Sequence, residues 1–176
     1  MTLQTWFDRT PQALRPAFLR ALNLYPPFVG AGIHVATFSN DFTLFEVELR
    51  PHAWNRNFLG GHFGGSLYAM CDPFFLIALS AQLGPAYFVW DKSARIDFRR
   101  LGKGTLRARF AVTAEQIADV RAQVAAAGKS EPRFAVDVVD SAGAIVATVH
   151  KHLWVKRRAL RRPTSPSKEH HVRPAA

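Results

Sequence analysis

"NFLGGHFGGSLYAMCDPFFLIALSAQLG", residues 57–84, governs how the rest of the chain is read. Gly60, Gly61, Gly64 and Gly65 crowd its opening, and from Leu67 to Leu83 it is apolar on every side. A run of that length and character reads as a helix buried on most faces. Gly84-Pro85 stops it. Asp72 falls inside the run, and taking an isolated carboxylate out of water costs several kcal/mol, on the order of the whole stability of a small domain. That expense implies either a local structural job or chemistry. Asp72-Pro73 is, on its own, an N-cap and first-turn pair with which a new helix could start. The unbroken apolar run suits equally well one buried helix kinked at Pro73, with the carbonyl of Ala69 deprived of its donor. Spacing leaves both readings open.

On both sides of this helix the period changes to two. Thr43, Phe45, Val47 and Leu49 alternate with Leu44, Glu46, Glu48 and Arg50, a half-buried strand with a partner expected in 30–38 across the turn Ser39-Asn40-Asp41. After the helix, four strands are expected: one carrying Ala94, Ile96 and Phe98, and a second carrying Leu106, Ala108, Phe110 and Val112. The third carries Phe134, Val136 and Val138. The last shows Ile145, Ala147, Val149, Lys151, Leu153 and Val155 on one face. Between the second and third, Ile117, Val120 and Val124 take helical spacing and end at Gly128, and "DSAGA" reads as a hairpin turn. Before Pro26-Pro27, Leu14, Phe18, Leu22 and Tyr25 form one helical face, with Thr10 as N-cap and Pro11 at the first helical position. Strands gathered around a single apolar helix make an α+β fold, an antiparallel sheet wrapped around a long central helix. No glycine loop follows a strand, which disfavours a nucleotide-binding fold.

At 176 residues the chain has the length of one domain. It divides into a helical N-terminal extension, 1–29, a domain over 30–155, and a basic tail, 156–176, expected to be disordered. The net charge is +10, yet the tail holds seven Lys or Arg and one acid, so the remainder has 16 basic and 12 acidic residues and carries only +4. No nucleic-acid partner is expected from so uneven a distribution. Cys71 is the only cysteine and sits among apolar residues, as a small core hydrophobe does. The N-terminal residues lack the pattern of a secretory signal, and 67–79 is too short and interrupted to span a bilayer, so a soluble, cytoplasmic protein is expected.

Glycines before a helix let the backbone approach a ligand, and first-turn N–H groups have no partner inside the helix, so they suit an oxyanion. They also suit a tight loop that binds nothing. Asn57, Gly60, Phe63-Gly64-Gly65 and Asp72, in that order and spacing, resemble the active-site pattern of hotdog-fold acyl-CoA thioesterases, closest to the small phenylacetyl-CoA type, over about residues 30–155.

The resemblance implies a fatty-acyl-CoA or aryl-CoA substrate hydrolysed to free acid and CoA without cofactor or metal. It also implies a homodimer or dimer of dimers with active sites between subunits. It gives the Gly64 N–H the thioester carbonyl, Asn57 the placing of thioester or water, and Asp72 the part of general base or nucleophile, acting across the interface with the other subunit's Asn57 and Gly64. Gly65, Phe63, His62 and Asp91 would contact substrate, Asp91 by assisting the carboxylate.

The sequence departs from the pattern at one place: Phe63 stands where the family has histidine, and His62 lies one position earlier. A hotdog protein that binds acyl-CoA or lipid without turnover is therefore the alternative. Phe58, Phe74 and Phe75 are candidates to line an acyl tunnel, and Arg95, Arg99, Arg100, Lys103 and Arg107 to meet CoA phosphates. His62, Cys71, His150 and His152 lack metal-site spacing. Ser66 lacks the nucleophile elbow.

Overall fold

A computed structural model of the protein describes residues 11–158; the expected cap at Thr10 and most of the basic tail lie outside them. The chain forms α1 (Arg15–Ala21), α2 (Pro26–Ala31), β1 (Ile33–Phe38), β2 (Leu44–Leu49), α3 (Gly64–Ala69), α4 (Phe74–Leu83) and β3 (Tyr87–Phe98). It continues with β4 (Leu106–Ala111), α5 (Ala114–Ala127), β5 (Lys129–Ser130), β6 (Arg133–Val139) and β7 (Ile145–Arg157). The main sheet is antiparallel in the order β1-β2-β4-β6-β7-β3, with β5 paired to β7, so β1 and β3 are its edges.

The alternating strands bury the expected faces. Phe45, Val47 and Leu49 of β2 and Leu106, Ala108 and Phe110 of β4 are buried, and the two strands pair residue for residue from Leu44–Ala111 to Leu49–Leu106. α4 lies against this face. Phe74 packs between Phe45, Phe110 and Phe28, with ring centroids at 5.6, 4.9 and 6.2 Å, and Phe75 stacks on Phe134 at 4.6 Å. Phe74 and Phe75 are therefore core residues. Gly64–Leu83 is long and apolar enough by composition to cross a bilayer, but 56% of its most apolar window is buried inside the domain, as in a core helix.

Three expectations change. The N-terminal helical region runs past the expected boundary at 29: Pro26 and Pro27 occupy the first positions of α2, where no N–H is needed, and Gly32, at φ 79°, ends it. Strand β1 accordingly begins at Ile33, after that cap. Strand β3 begins at Tyr87, seven residues before the alternation at Ala94, and contains a bulge between Asp91 and Ser93 in its pairing with β7. Strand β7 runs to Arg157, so its last two residues belong to the sheet and not to the tail. The inserted helix α5 ends, as expected, at Gly128, at φ 74°, and its start is closed by a reciprocal capping box of Thr113 and Gln116 that was not among the sequence expectations.

Candidate active site

Between α3 and α4 the central helix breaks. The N–H groups of Cys71 and Asp72 bond back three residues, to the carbonyls of Tyr68 (2.9 Å) and Ala69 (3.2 Å), and the regular pattern resumes with Ile77 bonding to Pro73. Pro73 has no N–H to offer Ala69, and the tightened turn supplies that carbonyl from Asp72 instead. Both readings of Asp72-Pro73 are thereby corrected: the helix is interrupted rather than merely kinked, and α4 starts without a side-chain cap. The same turn carries Asp72 out of the core. Its side chain is 53% exposed in the single chain, so the carboxylate is not the buried charge that the apolar run implied.

The buried charge is Lys151. It sits on the apolar face of β7 with a side chain that is 0% exposed, and its Nζ donates to Asp72 Oδ1 at 3.0 Å and pairs with Asp91 Oδ1 at 3.2 Å. Tyr68 adds its hydroxyl to Asp72 Oδ1 at 3.3 Å, and its ring lies 5.5 Å from Lys151 Nζ. Burial pushes the Lys151 ammonium down, but Asp91 and Asp72 together outweigh it and hold the group above its usual value, so it stays a cation. Burial raises Asp91, against the opposing pull of Lys151. Asp91 Oδ1 faces Lys151 off the hydrogen-bond axis, so the contact is an ion pair without an aligned hydrogen bond. Asp72 and Asp91 thus share one ammonium. Lys151 was visible in the sequence as the one charge among Ala147, Val149, Leu153 and Val155 on an inward face, a signal that alternation had already isolated.

The glycine loop is held by amides. Asn57 Oδ1 accepts from the N–H groups of Leu59 (3.0 Å) and Gly61 (3.1 Å), and its Nδ2 donates to the carbonyl of His62 (3.0 Å). The side chain is thus engaged within its own loop and fixes the approach to Gly64. Asn55, 3% exposed, does the same one layer deeper: it donates to the carbonyls of Ala31 and Arg50 and accepts from the N–H of His52. No spacing in the sequence singled it out. His62 is buried, and its Nε2 meets the carbonyl of Gly104 at 2.6 Å, so the ring ties the loop to the segment after β3, while its Nδ1 has no hydrogen-bond partner among the described residues and the ring lines a cavity with Arg56, Gly61 and Lys103.

Phe63 is 57% exposed and its ring covers Gly65, where an added Cβ would strike it. A Cβ on Gly64 would come 3.1 Å from the ring of Phe98, and one on Gly61 would meet Leu101 at 2.5 Å. The Cβ on Gly61 would also come 2.7 Å from the backbone carbonyl oxygen of Gly102, which leaves no room for a side chain, whereas Gly60 has open space and is set by its φ of 76°. Phe58, Leu59, Phe63, Phe98 and Leu101 remain exposed around the start of α3. Of the five basic residues proposed for phosphate, Arg95 pairs with Asp97 and Arg107 with Glu48. Arg99, Arg100 and Lys103 follow β3 on the surface.

Residues 15–155 match the family model described as Domain of unknown function (DUF4442). A search of curated proteins finds no match. Among solved structures, a Pseudomonas aeruginosa protein of unknown function labelled a probable thioesterase superposes with a TM-score of 0.72 at 20% identity, covering 81% of this chain and 96% of that one. A Haemophilus influenzae thioesterase gives 0.57 at 15% identity, over 88% and 92%. A mutant of the phenylacetic acid degradation protein of Thermus thermophilus gives 0.50 at 23% identity, over 73% and 97%. These likenesses establish the hotdog fold of this chain.

Proposed function

The chain belongs to the DUF4442 family, and we propose that it is a thioester hydrolase that cleaves an acyl-CoA into free acid and CoA. The observation that carries the reading is the carboxylate of Asp72, held at the break of the central helix by Lys151 and Tyr68 and open to one side. The thioesterase labels of the structural neighbours support it.

Asp72 acts as general base toward water, or attacks the carbonyl itself, and the Gly64 N–H at the start of α3 stabilises the oxygen on which charge develops, an interaction worth about 3 kcal/mol in comparable sites. Water adds to the carbonyl carbon, the C–S bond breaks, and the sulfur leaves as CoA thiolate and takes up a proton. Asn57 acts by holding the loop that presents Gly64, Phe63 and Gly65 to the substrate. Asp91 assists Asp72 only through Lys151.

Gly64 and Asp72 of one chain are eight residues apart, about 12 Å along a helix at 1.5 Å per residue. A base and an oxyanion donor must both lie about 3 Å from the reacting atoms, so each Asp72 works with the Gly64 of a second copy. Two features support that dimer: β3 is an edge strand with residues 92–95 exposed, and the apolar side chains of Phe58, Phe63, Phe98 and Leu101 crowd the start of α3 unburied. Docking there would also desolvate Asp72.

The test is release of free thiol from a panel of short-, medium- and long-chain acyl-CoA and aryl-CoA substrates, with Asp72→Asn expected to lower kcat by about 10²-fold or more. A parent that releases no thiol, or an Asp72→Asn variant as fast as the parent, refutes the reading. Exposed Phe63, standing where the thioesterases that the sequence resembles have histidine, favours the second reading, a hotdog protein that binds acyl-CoA or lipid without turnover. Thermal stabilisation by CoA ligands with no product would select it.

A further inference from the structure

Among the described residues, hydrogen bonds reach Asp72 at one oxygen only. Both donors, Lys151 Nζ at 3.0 Å and Tyr68 hydroxyl at 3.3 Å, converge on Oδ1. They come from different places. Tyr68 stands one turn earlier on α3, whereas Lys151 rises from β7, 79 residues away, through a fully buried stem that the sheet holds in place. A turn of three-residue bonds with a proline behind it is a weak mount for a reacting group, since it lacks the regular helix pattern that would fix its direction. A tether anchored in the sheet makes good that weakness.

We propose that Lys151 is a positioning residue that clamps Asp72 by Oδ1 and leaves Oδ2 as the atom that meets water or the thioester carbon. The inference rests on the thioester reading and extends it to a residue and to one oxygen. Asp91 belongs to the device. Its side chain is 23% exposed, and it sits on the other side of Nζ at 3.2 Å, opposite Leu153 in the β3–β7 register. Two carboxylates face one ammonium, so Lys151 is not balanced by Asp72 alone and Asp91 takes part of its charge. Lysine suits the task because a compact ammonium can hydrogen-bond one carboxylate and pair with a second from one point, whereas a guanidinium spreads its charge over a planar fork.

The test is kinetic and uses the full chain. In Lys151→Ala, thiol release should lose about 10²-fold in kcat while KM stays within about threefold, since a misdirected base affects the chemical step rather than binding. Added propylammonium, which matches the three carbons and the ammonium removed, should restore at least tenfold of that loss in a saturable way, and 1-propanol, which fills the same space without charge, should restore none. Lys151→Met/Asp91→Asn, from which the buried charges leave together, guards against misfolding of the alanine variant. It should fold and show the same loss in kcat. An unchanged kcat in either variant, or rescue by 1-propanol equal to that by propylammonium, overturns the inference and leaves the thioester reading standing. A parent that releases no thiol from any substrate overturns both.

Discussion

Replacing Lys151 by methionine keeps the stem and removes the ammonium, so it isolates what the charge contributes to the fold. The lysine side chain is 0% exposed, and its two partners are unequal: Asp72 is 53% exposed and Asp91 23%. Breaking a buried pair from one side costs about 3–5 kcal/mol because a charge is left behind. Here Asp72 turns to water at little cost, so the penalty falls on Asp91, and about 3 kcal/mol is expected. For a chain of this size that lowers Tm by about 6–12 °C. Asp91→Asn alone leaves Lys151 its bond to Asp72 and should cost about 1.5 kcal/mol. The double variant removes both buried charges and should cost about 2 kcal/mol, well below the sum of the singles, a coupling of about 2–3 kcal/mol. The assay is urea unfolding at pH 7 at fixed protein concentration, since any dimer makes stability depend on it. Costs that add to within about 0.5 kcal/mol would refute the shared ammonium. The pH dependence has a definite sign. Because Lys151 is held above its ordinary value of 10.5, its stabilisation is complete below that pH and is lost as pH climbs through the raised value. The Lys151→Met variant should lack this alkaline loss.

Two further outcomes follow from the core. Phe74→Ala removes the ring that meets Phe45, Phe110 and Phe28 and should cost about 3–5 kcal/mol in the same unfolding assay; a value below about 1 kcal/mol would place α4 elsewhere. Burial pushes the Cys71 thiol up to about 12, so at pH 8 iodoacetamide should label the folded chain far more slowly than the urea-unfolded chain, and equal rates would contradict that burial.

The elements with one wet face were legible in the sequence. In β2, β4 and β6 the alternation named the buried residues, and in α5 the spacing of Ile117, Val120 and Val124 named the buried face and Gly128 the end. The break at Asp72 was not legible, because a cap pair and an unbroken apolar run give opposite signals over the same residues. What decides the matter is Lys151, 79 positions away, which draws the carboxylate toward β7. The pattern of Asn57, Gly64 and Asp72 pointed to one segment of the chain, but spacing did not show the local hydrogen bonds that its side chains make. Asn57 is engaged by its own loop and His62 by Gly104, and such local bonds leave no trace in spacing.

The bulge in β3 sets the parity of the strand. Ahead of it, Val89 and Asp91 stand opposite the buried Val155 and Leu153; after it, Ala94, Ile96 and Phe98 stand opposite Lys151, Val149 and Ala147 on that same side. Odd positions face the central helix in the first half and even positions in the second, and Lys92 is the residue that absorbs the difference. A strand counted straight through would place either Asp91 or Phe98 on the wrong side, taking from Lys151 its second carboxylate or from Gly64 the ring that packs on it. Lys92 is thus a spacer whose value lies in being counted, whatever its side chain does. Its identity is open to substitution, whereas its deletion would put half of the strand out of phase with the site.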